Sequence, residues 1–361
     1  MNGPRVFRPL GAETVLIQML FDRQITTLHN LQDVEYHIKN SDQILENNRK
    51  ERIANLNRQL ESLRENHRSM LDERNKNLKT RMDLLKEEHE TLKKIIAESL
   101  VTTRNPVIWI RSRWKRYREK SRCNLLDTNF LSELEKPFRA ITKKIKNLEG
   151  EIQYIDSFFN QIIENQMKPH IAAKLRIDGA LEELAGWLAG ARGELKTLKE
   201  LMKLPSGFVI VNDVYLQFTE PLHTEEGIRF SCQMDHVVVG PPGLFNIESK
   251  NWSHLSIEKL DLRSPIGQIR ASGKGLYFEA NRAVRIRRIK LKKHHWGTRE
   301  INVRNILAMS GAMPKIDFQY VKMLPIKQVP SYIQSMEPKL STLEVEAVSR
   351  WILKRIDNSS N

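Results

Sequence analysis

Apolar residues recur three and four positions apart through much of the first half of the chain, a spacing typical of helices with one apolar face. Residues 41–100 contain neither Gly nor Pro, and their apolar positions from Ile53 to Leu92 follow a heptad pattern. Extra residues near Leu71 insert a stutter, which locally unwinds a supercoil. We therefore predict a coiled coil over residues 41–104, in which about 60 helical residues span roughly 90 Å. His67 and His89 fall on its seam, where we interpret them as tolerated polar residues.

A second helical segment is predicted over residues 123–178. Asn105-Pro106 separates it from the first, because proline removes a hydrogen-bond donor and disfavours a helical residue before it. Apolar residues from Leu131 to Ile162 again step by three and four, with a kink or restart expected at Pro137. The two segments could pair as an antiparallel hairpin, or either could pair with another subunit. Lys168-Pro169 and Asp178-Gly179 indicate a linker.

The pattern changes after residue 179 to alternating helices and strands. An amphipathic helix is predicted from Leu181 to Met202, followed by a strand at Phe208–Phe218. Ser264-Pro265 begins another helix, Asn302–Met309 forms a strand, and a helix over 343–356 ends the chain. This alternation predicts one α+β domain over residues 179–361. Residues 1–40 form a separate N-terminal segment without an assigned role.

Within this domain, two runs rich in Val, Ile and Phe flank Gly240-Pro241-Pro242-Gly243, which predicts a tight hairpin. Pairing Val239 with Leu244 sets Asp235 opposite Glu248 and Gln233 opposite Lys250, all on one face. Opposed carboxylates repel, so a bound divalent cation such as Mg²⁺ is the expected reason for them. A bulge would slip the pairing and turn Asp235 to the other face. If the strand has no bulge, the His236 side chain points to the opposite face of the sheet, where we expect it to be packed in the interior.

These residues resemble a family. Asp235 before the hairpin and Glu248-Ser249-Lys250 after it resemble the D-(D/E)-x-K nucleases, and the run QMDHVVVGPPGLFNIESKNW is similar to the nuclease-related domain (NERD). Other pieces in family order are GARGE at 190–194, VNDVYL at 211–216 and SPIGQ at 264–268. The resemblance covers roughly Leu181 to the C-terminus. It implies an α/β/α, restriction-endonuclease-like core with a mixed sheet, here preceded by a long coiled coil.

The resemblance also implies a metal-dependent nuclease that uses Mg²⁺ or Mn²⁺ and cleaves nucleic acid, with DNA as the expected substrate. Asp235 and Glu248 are the expected metal ligands, helped by the backbone carbonyl of Ser249. Lys250 would position or help to deprotonate the attacking water and shield developing charge. Glu194 is expected to act on the metal through a bound water. Gln233 and Gln268 are candidates for ordering water or phosphate. These residues could instead have purely structural roles. Glu248 and Lys250 could form a simple surface ion pair, and Glu194 could be a solvated helix residue.

The net charge of +15 is concentrated in two segments, Arg111–Arg122 at +6 and Arg282–Lys293 at +7. Such clustering favours a polyanionic partner. In the first segment Arg and Lys alternate with Trp and Tyr, which suits phosphate contacts and base stacking. An anionic membrane surface and a solvated helix with packed aromatics are the alternatives. The candidate nucleic-acid-binding residues are Arg111, Arg113, Lys115, Arg116, Arg118, Arg282, Arg285, Arg287, Arg288 and Lys290.

The two cysteines, Cys123 and Cys232, lie far apart without metal-ligand spacing, which predicts reduced thiols in a cytoplasmic protein. No apolar run is long enough for a membrane helix, and no signal peptide is recognisable. We expect a homo-oligomer assembled through the coiled coil. A non-catalytic nucleic-acid-binding or scaffold protein, and a coiled-coil interaction protein, are the competing functions. The family resemblance further suggests a bacterial or archaeal setting and DNA processing or antiviral defence.

Overall fold

The computed structural model describes the chain with several gaps, as residues 3–98, 105–224, 227–251, 263–292, 299–314 and 318–357. It forms two compact units. One unit joins Met1–Ser41 to Lys174–Asn361, and the other is Asp42–Ala173. The N-terminal 40 residues, predicted as a separate segment, therefore share a unit with the C-terminal half.

The described helices and strands confirm an α+β protein with a long helical N-terminal region. Helices α1–α8 are Gly11–Asp22, Leu31–Glu98, Pro106–Glu135, Arg139–Glu183, Ala185–Leu201, Arg263–Arg285, Val329–Gln334 and Thr342–Asp357. Strands β1–β6 are Arg5–Phe7, Val209–Thr224, Gly227–Gly240, Gly243–Lys250, Val303–Met309 and Val321–Pro325. The helix break expected at the linker is absent, because α4 continues through Pro169 and Gly179 to Glu183, although the boundary between the two units, at Ala173, falls in this zone. None of the helices in the described ranges is long and apolar enough to cross a membrane.

The unit Asp42–Ala173 is a helical hairpin formed within one chain. Arg64 on α2 bonds Asp156 on α4, whereas Arg122 on α3 bonds Glu88 further along α2. Partner numbers fall as α2 advances, so the helices run antiparallel. Apolar layers lie between them, formed by Leu56, Leu60, Ile155, Ile163 and Met167 and by Leu85, Leu126 and Leu134. The intrachain hairpin is thus the arrangement that the structure adopts.

A six-stranded mixed sheet in the order β1-β2-β3-β4-β5-β6 organises the other unit. Strands β2, β3 and β4 are antiparallel neighbours, β1 is parallel to β2, and β4, β5 and β6 are parallel. Helices α6 and α8 pack on one face through Leu276, Ala280 and Val348. Helices α5 and α7 cover the other face through Leu201 and Ile333. The sheet is therefore buried between two helical layers.

The predicted hairpin is present, with the predicted pairing of Val239 with Leu244 and of Val237 with Asn246. Its turn brings Gly240 opposite Gly243, and Gly243 has a φ of +128°, which favours glycine. A Cβ on Gly240 would lie 2.1 Å from the ring of Phe208, so the turn is closely packed. Turn geometry of this kind fixes the register of the two strands that carry the acidic residues.

Candidate active site

Strand β4 ends with Glu248 and Lys250 on one side of the sheet. Asn246, two residues before Glu248, shows that this side faces α6. Its buried amide donates to Ile269 O at 3.2 Å and to Ser272 Oγ at 2.8 Å on that helix. Side chains alternate along a strand, so Glu248 and Lys250 follow Asn246 on the same face. Glu248 is only 5% exposed, and its Oε1 accepts from Lys250 Nζ at 2.8 Å. The predicted pair therefore exists, and it is largely buried.

Asp235 reaches this pair from the neighbouring strand β3. Backbone pairing of β3 with β4 extends to His236 opposite Ile247, and at the next residue Asp235 Oδ2 accepts from Ser249 N at 2.7 Å. Met234 and Val237 share one apolar cluster although they are three residues apart. The alternation of side chains thus changes around Asp235, although β2 and β3 keep one pairing register there, without a bulge between these two strands. The Asp235 carboxylate nevertheless remains beside β4.

The environment of Asp235 penalises its negative charge. Burial raises the pKa of this carboxyl well above its usual range, and the charges of Glu248 and Glu194 raise it further. The Ser249 N–H and the Lys250 ammonium act in the opposite direction without reversing the pKa shift. Three acidic groups therefore act on one another in a poorly solvated place.

Glu194, the acid predicted on the first helix of the domain, lies on α5, and its charge acts on Asp235. It is 8% exposed, and Ala12 N at the start of α1 donates to its two carboxylate oxygens at 3.3 and 3.2 Å. Burial raises its pKa to about 7, and the charges of Asp213 and Glu248 add to this rise. A Cβ on Gly193 would lie 3.3 Å from Asn251 Cβ, so this part of α5 packs closely on the end of β4. The interpretation of Glu194 as a solvated helix residue does not describe this environment.

Asp213 is an acidic neighbour that sequence reasoning missed. Its backbone has a φ of +49°, a left-handed conformation that is uncommon for a residue other than glycine. Gln233 Nε2 donates to Asp213 Oδ1 at 2.6 Å, and Arg8 lies 3.8 Å from Oδ2. A Cβ on Gly11 would lie 2.7 Å from Oδ1, which shows how closely α1 approaches. Asp213 lies in the VNDVYL piece of the resemblance, but no sequence signal marks its backbone or its neighbours.

The other sequence-predicted residues are distributed as follows. Gln233 is exposed and bonds to Asp213, whereas Gln268 is exposed on α6 and, within the described ranges, forms no hydrogen bond to the acidic cluster. His236 is buried, lies 2.8 Å from Asn212 Oδ1, and has its pKa lowered to about 3 by burial. It is neutral and packed, as predicted. The sequence also has His254 shortly after the hairpin and His294-His295 next to the second basic segment, and these histidines lie outside the described residues.

Most of the predicted nucleic-acid-binding side chains face solvent. On α3 these are Arg111, Arg113, Lys115, Arg116 and Arg118, beside the exposed Trp109, Trp114 and Tyr117. In the other unit Arg285, Arg287, Arg288 and Lys290 are exposed, while Arg282 is half-buried and pairs with Glu220 at 3.0 Å. Each segment thus presents its charge at the surface of its own unit.

The donor set of the acidic cluster fits a divalent cation. Carboxylate oxygens from Asp235, Glu248 and Glu194, with the Ser249 carbonyl, are hard ligands of the kind preferred by Mg²⁺ and Mn²⁺. The raised pKa values of Asp235 and Glu194 show that ionising these carboxyls is costly, first because they are buried and then because other acids are near. A bound cation would remove that penalty. The types of residue present therefore suit the metal that the resemblance implies, although the three carboxylates do not all lie within 4.8 Å of one another.

Comparison with known families agrees with this geometry. The family model of the nuclease-related domain matches residues 189–307, a third of the 361 residues. The matched segment covers most of α5, strands β2–β4, helix α6 and most of β5, and so includes every acidic residue of the cluster. Comparisons with curated proteins and with solved structures gave no match. Residues 189–307 thus match the nuclease-related domain, and this segment includes Glu194, Asp235, Glu248 and Lys250.

Proposed function

We propose that this protein is a Mg²⁺-dependent nuclease that hydrolyses phosphodiester bonds in DNA. The observation that carries the proposal is that Asp235 accepts a hydrogen bond from Ser249 N at 2.7 Å, beside the 2.8 Å Lys250–Glu248 contact, with the charge of Glu194 acting on both Asp235 and Lys250. A structural ion pair needs one acid and one base. A buried group of mutually repelling carboxylates instead calls for a cation and is typical of phosphoryl chemistry.

Asp235 and Glu248 would hold the metal, together with the Ser249 carbonyl. When bound, Mg²⁺ supplies positive charge to the scissile phosphate and makes the attacking water more acidic. The Ser249 N–H holds Asp235 in place, and the start of α1 holds Glu194 through Ala12 N. Glu194 orients water at the edge of the cluster.

Lys250 acts as a cation and not as the proton acceptor. Burial lowers its pKa, but the charge and hydrogen bond of Glu248 and the charges of Asp235 and Glu194 raise it more, so its net pKa is raised above 10.5. A protonated amine donates hydrogen bonds and stabilises charge that develops on the phosphate oxygens. Of the two roles open to Lys250, charge stabilisation is the one that its surroundings favour.

The exposed basic residues of α3 and of Arg285–Lys290 provide phosphate contacts without base selectivity. Gln233 and Gln268 would order phosphate or water, and nucleic acid would contact them as it approaches the acidic cluster.

Assembly and cellular role extend the proposal. The apolar seam of α2 already faces α3 and α4 of the same chain, so a homo-oligomer would use other surfaces. Such an oligomer would place two active sites near one duplex, and light scattering of the purified chain tests it. We further propose that the protein is cytoplasmic and that it acts in DNA processing or antiviral defence.

The decisive experiment is cleavage of plasmid and linear DNA with Mg²⁺, with EDTA and with the variants Lys250→Ala and Asp235→Asn. We expect metal-dependent nicking that falls by about 10²-fold or more in Lys250→Ala, since one charge-stabilising donor contributes that much. Fluorescence anisotropy with labelled DNA should show binding retained in both variants.

Lys354→Ala removes an equally charged but exposed lysine of α8 and serves as the matched control. Equal cleavage by Lys250→Ala and the intact protein would place the active site elsewhere. Tight, salt-sensitive binding by the intact protein without cleavage under any divalent cation would favour the non-catalytic binding function.

A further inference from the structure

The helical unit Asp42–Ala173 contains a second cluster of metal-ligating side chains, made of different chemical types from the acidic site. His89 belongs to α2, whereas Cys123 and Asp127 belong to α3. Cys123 and Asp127 are four residues apart, so they share one face of their helix. One ligand atom from each of the three side chains lies within 4.8 Å of the other two.

The distances suit a tetrahedral ion. Cys123 Sγ lies 3.9 Å from Asp127 Oδ2, and His89 Nε2 lies 2.8 Å from Asp127 Oδ1. Tetrahedral Zn²⁺ with bonds of about 2.0–2.3 Å separates neighbouring ligand atoms by about 3.4–3.6 Å. Each separation is therefore within ~1 Å of the required value, which small side-chain rotations can supply.

Burial and pairing also point to a ligand. Cys123 is 6% exposed, and it lies one helical turn from the buried Leu126 in the apolar layer with Leu85. His89 Nε2 is buried and lies 2.8 Å from Asp127 Oδ1, an ion-pair distance, although the geometry is not that of a hydrogen bond. Asp127 thus lies next to both His89 and Cys123, and one metal ion would be bound by all three side chains.

We propose that His89, Cys123 and Asp127 form a Zn²⁺ site that joins α2 to α3. Thiolate and imidazole ligands select Zn²⁺ over Mg²⁺, so this site and the acidic cluster take different ions. On binding, the Cys123 thiol releases its proton to solvent and the thiolate bonds the ion. Three protein ligands leave one tetrahedral position for water or another small donor. This proposal is independent of the nuclease activity.

The test uses the full-length, metal-free protein under a reductant that does not bind metal, titrated with Co²⁺ as a spectroscopic substitute for Zn²⁺. We expect a near-ultraviolet thiolate-to-cobalt charge-transfer band that Zn²⁺ abolishes by displacing Co²⁺. Zn²⁺ should also raise the melting temperature of the helical unit, because the ion binds only the folded state. The absence of the band in the intact protein would overturn the proposal.

The chain has two cysteines, both free, and this provides a matched pair of variants. Cys123→Ser should abolish the band, whereas Cys232→Ser should leave it unchanged. A band that survives Cys123→Ser, or disappears in Cys232→Ser, would contradict the site.

Asp127→Asn keeps the test decisive if Cys123→Ser does not fold, because Asp127 is exposed and its replacement leaves the apolar layer intact. We expect Asp127→Asn to weaken Co²⁺ binding at least about tenfold, in line with losses at even supporting residues of metal sites. Asp83→Asn, an exposed acid on α2, is the control. Equal affinity in the two variants would remove Asp127 from the site and overturn the proposal.

Discussion

Glu194 shows how one residue acquires a special character from distant parts of the chain. Its carboxylate is buried under the start of α1, about 180 residues earlier in sequence, and faces the charges of Asp213 and Glu248. A helix N-terminus stabilises a negative charge, but here burial and repulsion outweigh that effect. We therefore expect a nearby cation to change the pKa of this carboxyl.

In the metal-free protein we expect Glu194 to make stability depend on pH. Its folded pKa of about 7 exceeds the unfolded value of 4.5, so its contribution is fully present below pH 4.5 and is lost as pH rises through 7. Glu194→Gln should remove this loss, which amounts to at most about 3 kcal/mol in the free energy of unfolding. Guanidinium unfolding of both proteins in EDTA at pH 5 and pH 8 measures it.

Mg²⁺ should restore the stability of the intact protein at pH 8 and have less effect on Glu194→Gln, because the cation compensates the ionised carboxylate. An intact protein as stable at pH 8 as at pH 5 in EDTA would contradict this account.

A glycine pair tests close packing next to Asn246, on the strand that carries Glu248 and Lys250. A Cβ on Gly273 of α6 would lie 1.8 Å from Asn305 Oδ1, which accepts a hydrogen bond from Asn246. We expect Gly273→Ala to cost about 1–3 kcal/mol through overpacking. Gly179→Ala, in open space on α4, should instead stabilise by about 0.5–1 kcal/mol. Chemical denaturation of both variants compares them, and equal effects would show that the contact with Asn305 does not matter.

At the scale of elements, the helical hairpin depends on thin apolar layers between long polar surfaces. Leu85 is fully buried against Leu126 and Leu134, whereas its neighbour Leu84 is 55% exposed. Both leucines belong to the same turn of α2, so replacing either one changes helix propensity equally. A difference between the two variants therefore measures the contribution of packing.

We expect Leu85→Ala to destabilise the helical unit by about 2–5 kcal/mol, as is usual when a buried leucine leaves a cavity. Leu84→Ala should change stability by less than about 0.5 kcal/mol. Hydrogen exchange followed by mass spectrometry measures this unit separately from the sheet, since the chain has two compact units. Comparable loss of protection in both variants would show that the layer does not hold the hairpin together.

For the whole molecule, the concentrated charge sets the expected mode of binding. The two basic segments contribute 13 of the net +15, so the rest of the chain is nearly neutral. Binding driven by phosphate contacts releases counterions and weakens steeply with salt. Exposed Trp109, Trp114 and Tyr117 on α3 add stacking surfaces that favour unpaired bases.

Replacing the five basic candidates of α3 with alanine should lower the slope of log affinity against log salt by about 4 if all contact phosphate. The measurement is anisotropy of a labelled oligonucleotide over a range of salt concentrations. A variant with the same loss of charge at other exposed lysines is the control, with Lys50, Lys86, Lys94, Lys143 and Lys146 replaced. Identical slopes in the two variants would make the effect one of net charge alone.

Local sequence patterns predicted several of the elements. Heptad spacing predicted α2, and the Gly-Pro-Pro-Gly turn predicted the β3–β4 hairpin with its register. The helix break expected at the linker is absent because packing of the apolar face of α4, through Met167 and Ile177, outweighs the cost of Pro169 and Gly179 inside the helix. Propensity describes isolated segments, and tertiary contacts can override it.

The sequence by itself determined the α+β class, the strands that carry Asp235, Glu248 and Lys250, and the two concentrations of charge. Each depends on near neighbours along the chain, through periodicity, turn chemistry or composition. Tertiary structure alone decided that α1 covers Glu194, that Asp213 lies beside Gln233, and that the α2 seam packs within its own chain. It also brought His89 to Cys123. These contacts join residues far apart in sequence, and only the packing of sheet and helices sets such distances.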